Sequence, residues 1–292
     1  MFGLAIDATN IYWATDTPNG SPIFMTDSAV MKAPVGGGAP VLLDKASAGR
    51  GYDLAVDATN VYLEFQWLDH AQEGEVHRLP LAGGAQTGIT GLQTTPRGLT
   101  LGAGYLYIGK EMGGKLLGVS LTGGADLKFG DPFMVYGTVH HGIAVDATSV
   151  YTTNDTGTAA GEILKWSVAG GLSTVLVAGQ AAPNYIAADA TNLYWTDRGL
   201  MAHTGSVMKM PKAGGAVTTL ASGLGGAKRI VVDATSVYWN DDVDGVIMKV
   251  PIAGGASTVL ASGQLGANGL AVGATHVYWT DSIALTVNKV AK

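Results

Sequence analysis

Cysteine is absent from the 292-residue sequence, which excludes disulfides, thiolate metal sites and a cysteine nucleophile. Charge is scarce as well: Asp, Glu, Lys and Arg make up 14%, against about 25% in ordinary globular domains. The net charge is −6 and no run of Lys or Arg occurs, so the electrostatic footprint of a nucleic-acid binder is missing. No apolar run approaches the roughly 20 residues of a membrane-spanning helix. No segment sustains a helical i, i+3, i+4 pattern over the about 10–12 residues at which helix becomes the better reading. Catalytic signatures are lacking too, with no G-x-S-x-G elbow, P-loop or dinucleotide fingerprint.

What is present is 47% apolar residues and 43 glycines. Little charge combined with much glycine fits buried strands joined by many tight turns. Internal similarity dominates the chain. The clearest copy reads IVVDATSVYWNDDVDGVIMKVPIAGGASTVLAS over residues 230–262. The aspartate of its D-A-T recurs as Asp7, Asp57, Asp146, Asp189 and Asp233, and Gly102 and Gly273 hold the same column in two degenerate copies. A tyrosine follows in all seven: Tyr12, Tyr62, Tyr107, Tyr151, Tyr194, Tyr238 and Tyr278.

Each copy divides into four short runs, A to D, resembling GLAVD, VYWTD, VMKVP and STVLAS. Short runs rich in Val, Tyr, Trp and Thr between Gly, Asn, Asp and Pro are strand signals. The A→B turn is D-A-T-[NS], whose short polar side chains bond to backbone. The C→D turn is a glycine pair such as Gly254 and Gly255, suited to the positive φ of tight hairpins. Strand B is apolar on both faces, because Val237, Tyr238 and Trp239 are consecutive. Sheets covered on both sides and repeated at this period are blades packed between neighbours. The sequence therefore predicts an all-β fold. It is one seven-bladed β-propeller domain over residues 1–292, with four-stranded antiparallel blades starting near residues 3, 53, 98, 142, 185, 229 and 269. The last copy stops at Lys292, at the end of strand C. The seventh blade is expected to lack its outer strand and the ring to close by face packing alone. A monomer is expected, with another chain's strand on that open edge as the alternative.

The runs Leu193-Tyr-Trp-Thr-Asp197 and Val277-Tyr-Trp-Thr-Asp281 resemble the YWTD repeat of low-density-lipoprotein-receptor-type propellers. The whole unit is still more similar to bacterial propeller repeats related to the NHL and TolB-like groups. The resemblance covers essentially the entire chain and departs in count, since the receptor type has six blades. It implies a fold and leaves function open, because propellers host binding, scaffolding and catalysis alike. It also implies a bacterial source. With the first repeat at Gly3 there is no room for a signal peptide. A mature secreted or periplasmic protein whose leader is replaced by Met1 is the preferred expectation, and the cytosol stays open.

In such a meander the A→B and C→D turns lie on one face and the B→C and D→A loops on the other. The first set is nearly uniform. The second varies widely, from 14–28, 64–74, 130–141 and 197–205 down to the short 241–245. Long, variable loops on a rigid scaffold are where function concentrates. His70, His77, His140, His141 and His203 fall on or near this face, together with Trp67, Tyr136 and Tyr185 and with Arg50, Arg97, Arg198 and Arg229. The candidate binding set is Trp67, His70, Arg97, Tyr136, His140, His141, Asp197 and His203. The aspartate after YWT recurs with the fold, so its structural reading is a hydrogen bond between blades. The Lys or Arg of strand C (Lys32, Arg78, Lys165, Lys209, Lys249, Lys289) reads as a rim feature, and Trp13, Trp195, Trp239 and Trp279 as core.

Three functions follow from these residues. The first is a binding module for a saccharide, peptide or small metabolite at the channel mouth, with Trp67 and Tyr136 for stacking and no cofactor. The second comes from the resemblance, since seven-bladed propellers include lyases and lactonases. It is an enzyme with His140 or His141 as general base and a possible divalent metal. The third is a protein-interaction scaffold, which would show as a broad apolar patch on the variable face.

Overall fold

The computed structural model describes residues 3–18, 26–46, 50–66, 73–90, 93–94, 96–110, 116–130 and 142–292, and its side-chain description leaves out 16–18, 26–28, 46, 50, 93–94 and 96–97. It is all-β, with seven sheets in a ring. Blade 6 shows the pattern: strand A Ala227–Val232, B Ser236–Asp241, C Val246–Pro251 and D Thr258–Ser262, an antiparallel meander. Blade 5 repeats it with Pro183–Ala188, Asn192–Asp197, Gly205–Pro211 and Thr218–Leu224. Blade 7 has three strands, Ala267–Val272, His276–Asp281 and Thr286–Ala291. Two blades depart in detail. The outer strand of blade 2 is split into Thr87–Gly88 and Gln93–Thr94. The outer strand of blade 3, Leu127–Gly130, carries a short parallel strand, Gly171–Leu172, from its neighbour.

The recurring aspartate and tyrosine form one device. Asp189 Oδ1 accepts the amides of Thr191 and Asn192, both at 2.7 Å, while Oδ2 accepts the Tyr194 hydroxyl at 2.6 Å. The A→B turn is thereby tied to the strand that follows it, and Asp7, Asp57, Asp146 and Asp233 repeat the arrangement. Where glycine replaces the aspartate the tyrosine is redirected. Tyr107 donates to the Val168 carbonyl at 3.4 Å and Tyr278 to that of Val35 at 3.2 Å, each in the next blade's C→D turn.

Strand B is buried along nearly its whole length, and the tryptophans at 13, 195, 239 and 279 are core. The core consists of clusters between adjacent blades, each combining strands A and B of one with the covering strands of the next. The cluster that closes the ring joins Leu4, Ile11 and Trp13 of blade 1 to Ala271 and Tyr278 of blade 7. Closure does not rest on packing alone, as the sequence reading expected. Lys289 Nζ also donates to the carbonyls of Val35 and Gly36 at 3.2 and 3.0 Å. Lys209 bonds Ile252 O and Lys32 bonds Leu81 O in the same way, so these strand-C lysines are latches between blades.

Candidate functional site

Strand A of blades 2, 3, 5, 6 and 7 carries a register shift near its start. Such bulges bend a strand and re-aim a side chain. The residue four before the A→B turn position is Gly3, Asp53, Gly98, Gly142, Tyr185, Arg229 and Gly269 in blade order. Four blades thus give up side-chain volume at this level and three supply large polar groups. Arg229 Nη1 lies 3.0 Å from Asp53 Oδ1, and its guanidinium carbon sits 4.6 Å from the centre of the Tyr185 ring. Asp53 also accepts the amides of Leu54 and Leu99 at 3.1 and 3.2 Å. Burial alone would depress the Arg229 pKa, but Asp53, Tyr185 and Glu64 raise it further, so the guanidinium stays charged. The pair spans the central channel from blade 6 to blade 2. A cavity of about 130 Å³ remains beside it, lined by innermost-strand residues including Thr100, Ile143, Ile230 and Leu270. Small-molecule sites are usually about 300–1,000 Å³.

On the variable face, charged groups of blades 5 and 6 gather near Arg229. Asp242 Oδ2 is 3.6 Å from Lys228 Nζ and 3.9 Å from Arg198 Nη2, and Asp244 Oδ1 is 3.8 Å from His203 Nδ1. Burial lowers the pKa of Lys228; Asp242 opposes this and the neighbouring Arg229 and Arg198 reinforce it. These contacts are long and partly exposed, so each is worth at most about 1 kcal/mol to the fold. Leu200, Met201, Val243, Leu265, Ile283 and Leu285, in B→C or D→A loops of blades 5–7, are all at least half exposed, and Leu285 also lines the groove between blades 7 and 1.

Of the residues singled out from sequence, His203 lies in this cluster, in the left-handed region at φ 56° and exposed. Asp197 is buried and away from the surface, with Oδ1 lacking a hydrogen-bond partner. Burial and the nearby Asp155 push its pKa up to about 7, against hydrogen bonds from Trp195 and the Ala181 amide. Its counterparts are structural, but within one blade and not between blades. Asp241 Oδ1 accepts the amides of Gly226, Val243 and Asp244, and Asp281 Oδ1 those of Ile283 and Ala284. The bond between blades belongs to the preceding position: Thr196 Oγ1 donates to Lys228 O at 2.7 Å and Asn240 Nδ2 to Ala267 O at 2.8 Å. His77 sits within strand C of blade 2, between Glu75 and Gln86 and edge-on to Phe65. Arg97 falls in strand A of blade 3, Pro96–Gly102, and its side chain is outside the described residues, as are Trp67, His70, Tyr136, His140 and His141. Among the described residues no three His, Asp or Glu side chains converge on a metal-sized site, and no helix is long and apolar enough to cross a membrane.

Sequence reasoning had Arg229 and Tyr185 among the loop-face residues and missed Asp53. The usable signal was the column itself, glycine in four copies and bulky in three.

No protein-family model matches the chain, and no curated protein does. Solved structures match it well. A streptogramin B lyase structure superposes with a TM-score of 0.70 at 13% identity, covering 97% of this chain and 99% of that one. The chain is a seven-bladed β-propeller. A chain of a nidogen/laminin complex superposes on this propeller with a TM-score of 0.62 at 20% identity, covering 80% of it and 89% of that chain. Identities this low establish the shared fold, and the propeller's function has to be argued from its own surface.

Proposed function

We propose that this propeller is a protein-binding module that engages its partner through the B→C and D→A loops of blades 5–7. The observation that carries the reading is the set of exposed apolar tips. Leu200, Met201, Val243, Leu265 and Ile283 are exposed in B→C or D→A loops, the loops that also carry Arg198, His203, Asp242 and Asp244, with Lys228 of strand A in blade 6 beside Asp242. Apolar side chains clustered at loop tips and edged by charge are the composition of a recognition surface. A small-molecule site in the channel is less well supported, because among the described residues the Arg229–Asp53 pair lies across it beside a cavity of about 130 Å³. One structural neighbour comes from a complex of two proteins, nidogen and laminin, which agrees with a binding role. The other is a lyase, and an enzyme here would follow the reading that makes His140 or His141 the general base.

The test compares affinity capture by the parent chain, by Met201→Asp/Ile283→Asp on the loop face, and by Val41→Asp/Val259→Asp on the outer strands. A partner held by the parent and the outer-strand variant, and lost by the loop-face variant, supports the reading. A selective hit on a glycan array, or stoichiometric metal in the purified protein, would overturn it in favour of a saccharide module or an enzyme.

A further inference from the structure

We propose that Asp197 is a proton-operated catch on the loop 198–204, which carries Leu200, Met201 and His203. Protonated, the acid leaves the loop seated on blade 5. Ionised, it drives the loop off that seat, so pH sets what this part of the loop face presents. The loop's part in partner binding rests on the reading above; the catch itself does not. The same column in the two following blades shows what this aspartate ordinarily does. Asp241 Oδ1 accepts the amides of Gly226, Val243 and Asp244, and Asp281 Oδ1 those of Ile283 and Ala284. Each caps a short B→C turn, 242–245 or 282–285, in the manner of an Asx turn.

Blade 5 breaks this pattern. The glycine before strand A in those blades, Gly226 or Gly266, is Ala182 here. A Cβ added at Gly266 would collide with Asp281 Oδ1, so an alanine at this place denies the aspartate its capping position. Ala182 instead holds a left-handed backbone at φ 58°. The Arg198 amide bonds the Ala182 carbonyl at 3.0 Å, as Asp242 and Ser282 bond those of Gly226 and Gly266. The next amide is redirected: Gly199 donates to Ala181 O at 3.0 Å, where Val243 and Ile283 donate to the aspartate. Asp197 Oδ1 is left buried without a partner. The rest of the loop is bonded to itself. Thr204 Oγ1 donates to Met201 O at 2.8 Å and accepts the Met201 amide at 3.1 Å, and His203 is left-handed at φ 56°. Among the described residues its backbone seat on the preceding D→A loop is thus the two bonds to Ala181 and Ala182. The contacts of Arg198 with Asp242 and of His203 with Asp244, at 3.9 and 3.8 Å, are too long for hydrogen bonds.

A buried carboxylate short of donors and of a cation cannot keep its charge out of water. Asp155 of blade 4 is the charged group that acts on Asp197, and it repels the ionised form. The strands Thr174–Gln180 and Pro183–Ala188 carry no charge. Lys209 of strand C is bonded to Ile252 O, Glu162 accepts from Asn154, and Arg198 reaches toward Asp242. Burial together with Asp155 raises the pKa of Asp197 to about 7, which sets the release near neutrality. Opening one short loop hydrates the ionised acid while the ring stays folded.

The test uses the absence of cysteine: Met201→Cys gives one site for an environment-sensitive dye on the full chain. One emission transition centred near pH 7 is expected. Asp197→Asn should abolish it, and Asp155→Asn should move it to lower pH by about half a pH unit or more. His203→Gln removes the other group of this loop that can titrate near neutrality and should leave the transition in place. Hydrogen exchange reads the chain without a dye. At pH 8 the Arg198 and Gly199 amides should exchange about tenfold or more faster in the parent than in Asp197→Asn, and at pH 5 equally. A transition that survives Asp197→Asn or vanishes with His203→Gln would overturn the proposal, as would equal exchange at pH 8. The expected transition, alongside partner capture that the loop-face variant leaves intact, would uphold the catch and refute the binding face.

Discussion

Arg229 and Asp53 are 176 residues apart in sequence and 3.0 Å apart in space. The contact runs from the sixth blade to the second and crosses the axis about which all seven are arranged. Neighbouring blades are held by packing and by bonds such as Thr196 to Lys228. Among the described residues this is the ion pair that ties opposite sides of the ring directly. Both partners are largely removed from water, and Asp53 is further fixed by the Leu54 and Leu99 amides.

A buried charge whose partner is removed keeps its desolvation cost and loses its compensation. Arg229→Met should therefore destabilise the chain by about 3–5 kcal/mol, seen as a lower midpoint in urea melts followed by circular dichroism. Adding Asp53→Leu removes the orphaned carboxylate and should restore part of that loss. A single Arg229→Met variant that melts like the parent would show that the crossing pair contributes nothing.

The Asp–Tyr turn lock gives a pH signature. Burial raises the pKa of Asp189 by itself, but the Tyr194 hydroxyl and the Thr191 and Asn192 amides bring it down to about 2. A carboxylate held below its unfolded value stabilises the fold above about pH 4 and loses that contribution as pH falls through the folded value. Burial and hydrogen bonds to aspartate push Tyr12 and Tyr62 up to about 12. Their contribution is complete below about pH 10 and is lost as pH rises through 12. Tyr194→Phe should cost about 1–2 kcal/mol at pH 7. The difference from the parent should shrink toward pH 2, which urea melts across pH will read.

The fold was legible because the device is local and repeated. An aspartate, a tyrosine five positions on and a glycine pair recur with strand-length spacing, and each has its own turn chemistry. Even the degenerate copies kept the tyrosine, although nothing local revealed that Tyr107 and Tyr278 would turn to the next blade. The Asp53–Arg229 pair was not legible, because its partners share no motif and meet only when the ring closes. The exposure of Met201 and Ile283 was equally hidden, since a short loop carries no periodicity to say which side chains face water. The burial of Asp197 was hidden for the opposite reason: it stands in a polar-looking loop start yet is only 5% exposed.

That burial makes Asp197 a liability at high pH. With its pKa near 7, the acid is stabilised neutral, so its contribution is present below about pH 4 and is lost as pH rises to 7. Asp197→Asn keeps the shape and removes the charge. It should stabilise the chain by about 1–3 kcal/mol at pH 8 and by little or nothing at about pH 3, below the unfolded pKa. A melting difference between variant and parent that is independent of pH would rule out a buried titrating acid.

The innermost strands of blades 4 and 5 approach so closely at Gly142 that no side chain fits between them. A Cβ added at Gly142 would stand 2.5 Å from the Ile186 nitrogen, 2.7 Å from the Tyr185 Cα and 2.9 Å from the Asn184 oxygen, all of them backbone in the next blade. Backbone cannot rotate aside as a side chain does, so blades 4 and 5 would have to separate. The same seam carries the Thr153 hydroxyl bonded to Asn184 O, which separation would break. Gly142→Ala should thus cost about 1–3 kcal/mol, the range for overpacking a tight contact. Gly36 is the matched control, because nothing lies within 4 Å of its added Cβ. Gly36→Ala should change stability by no more than about 0.5 kcal/mol. Equal melting of the two variants would mean that glycine at 142 reflects chain flexibility and not the contact between blades.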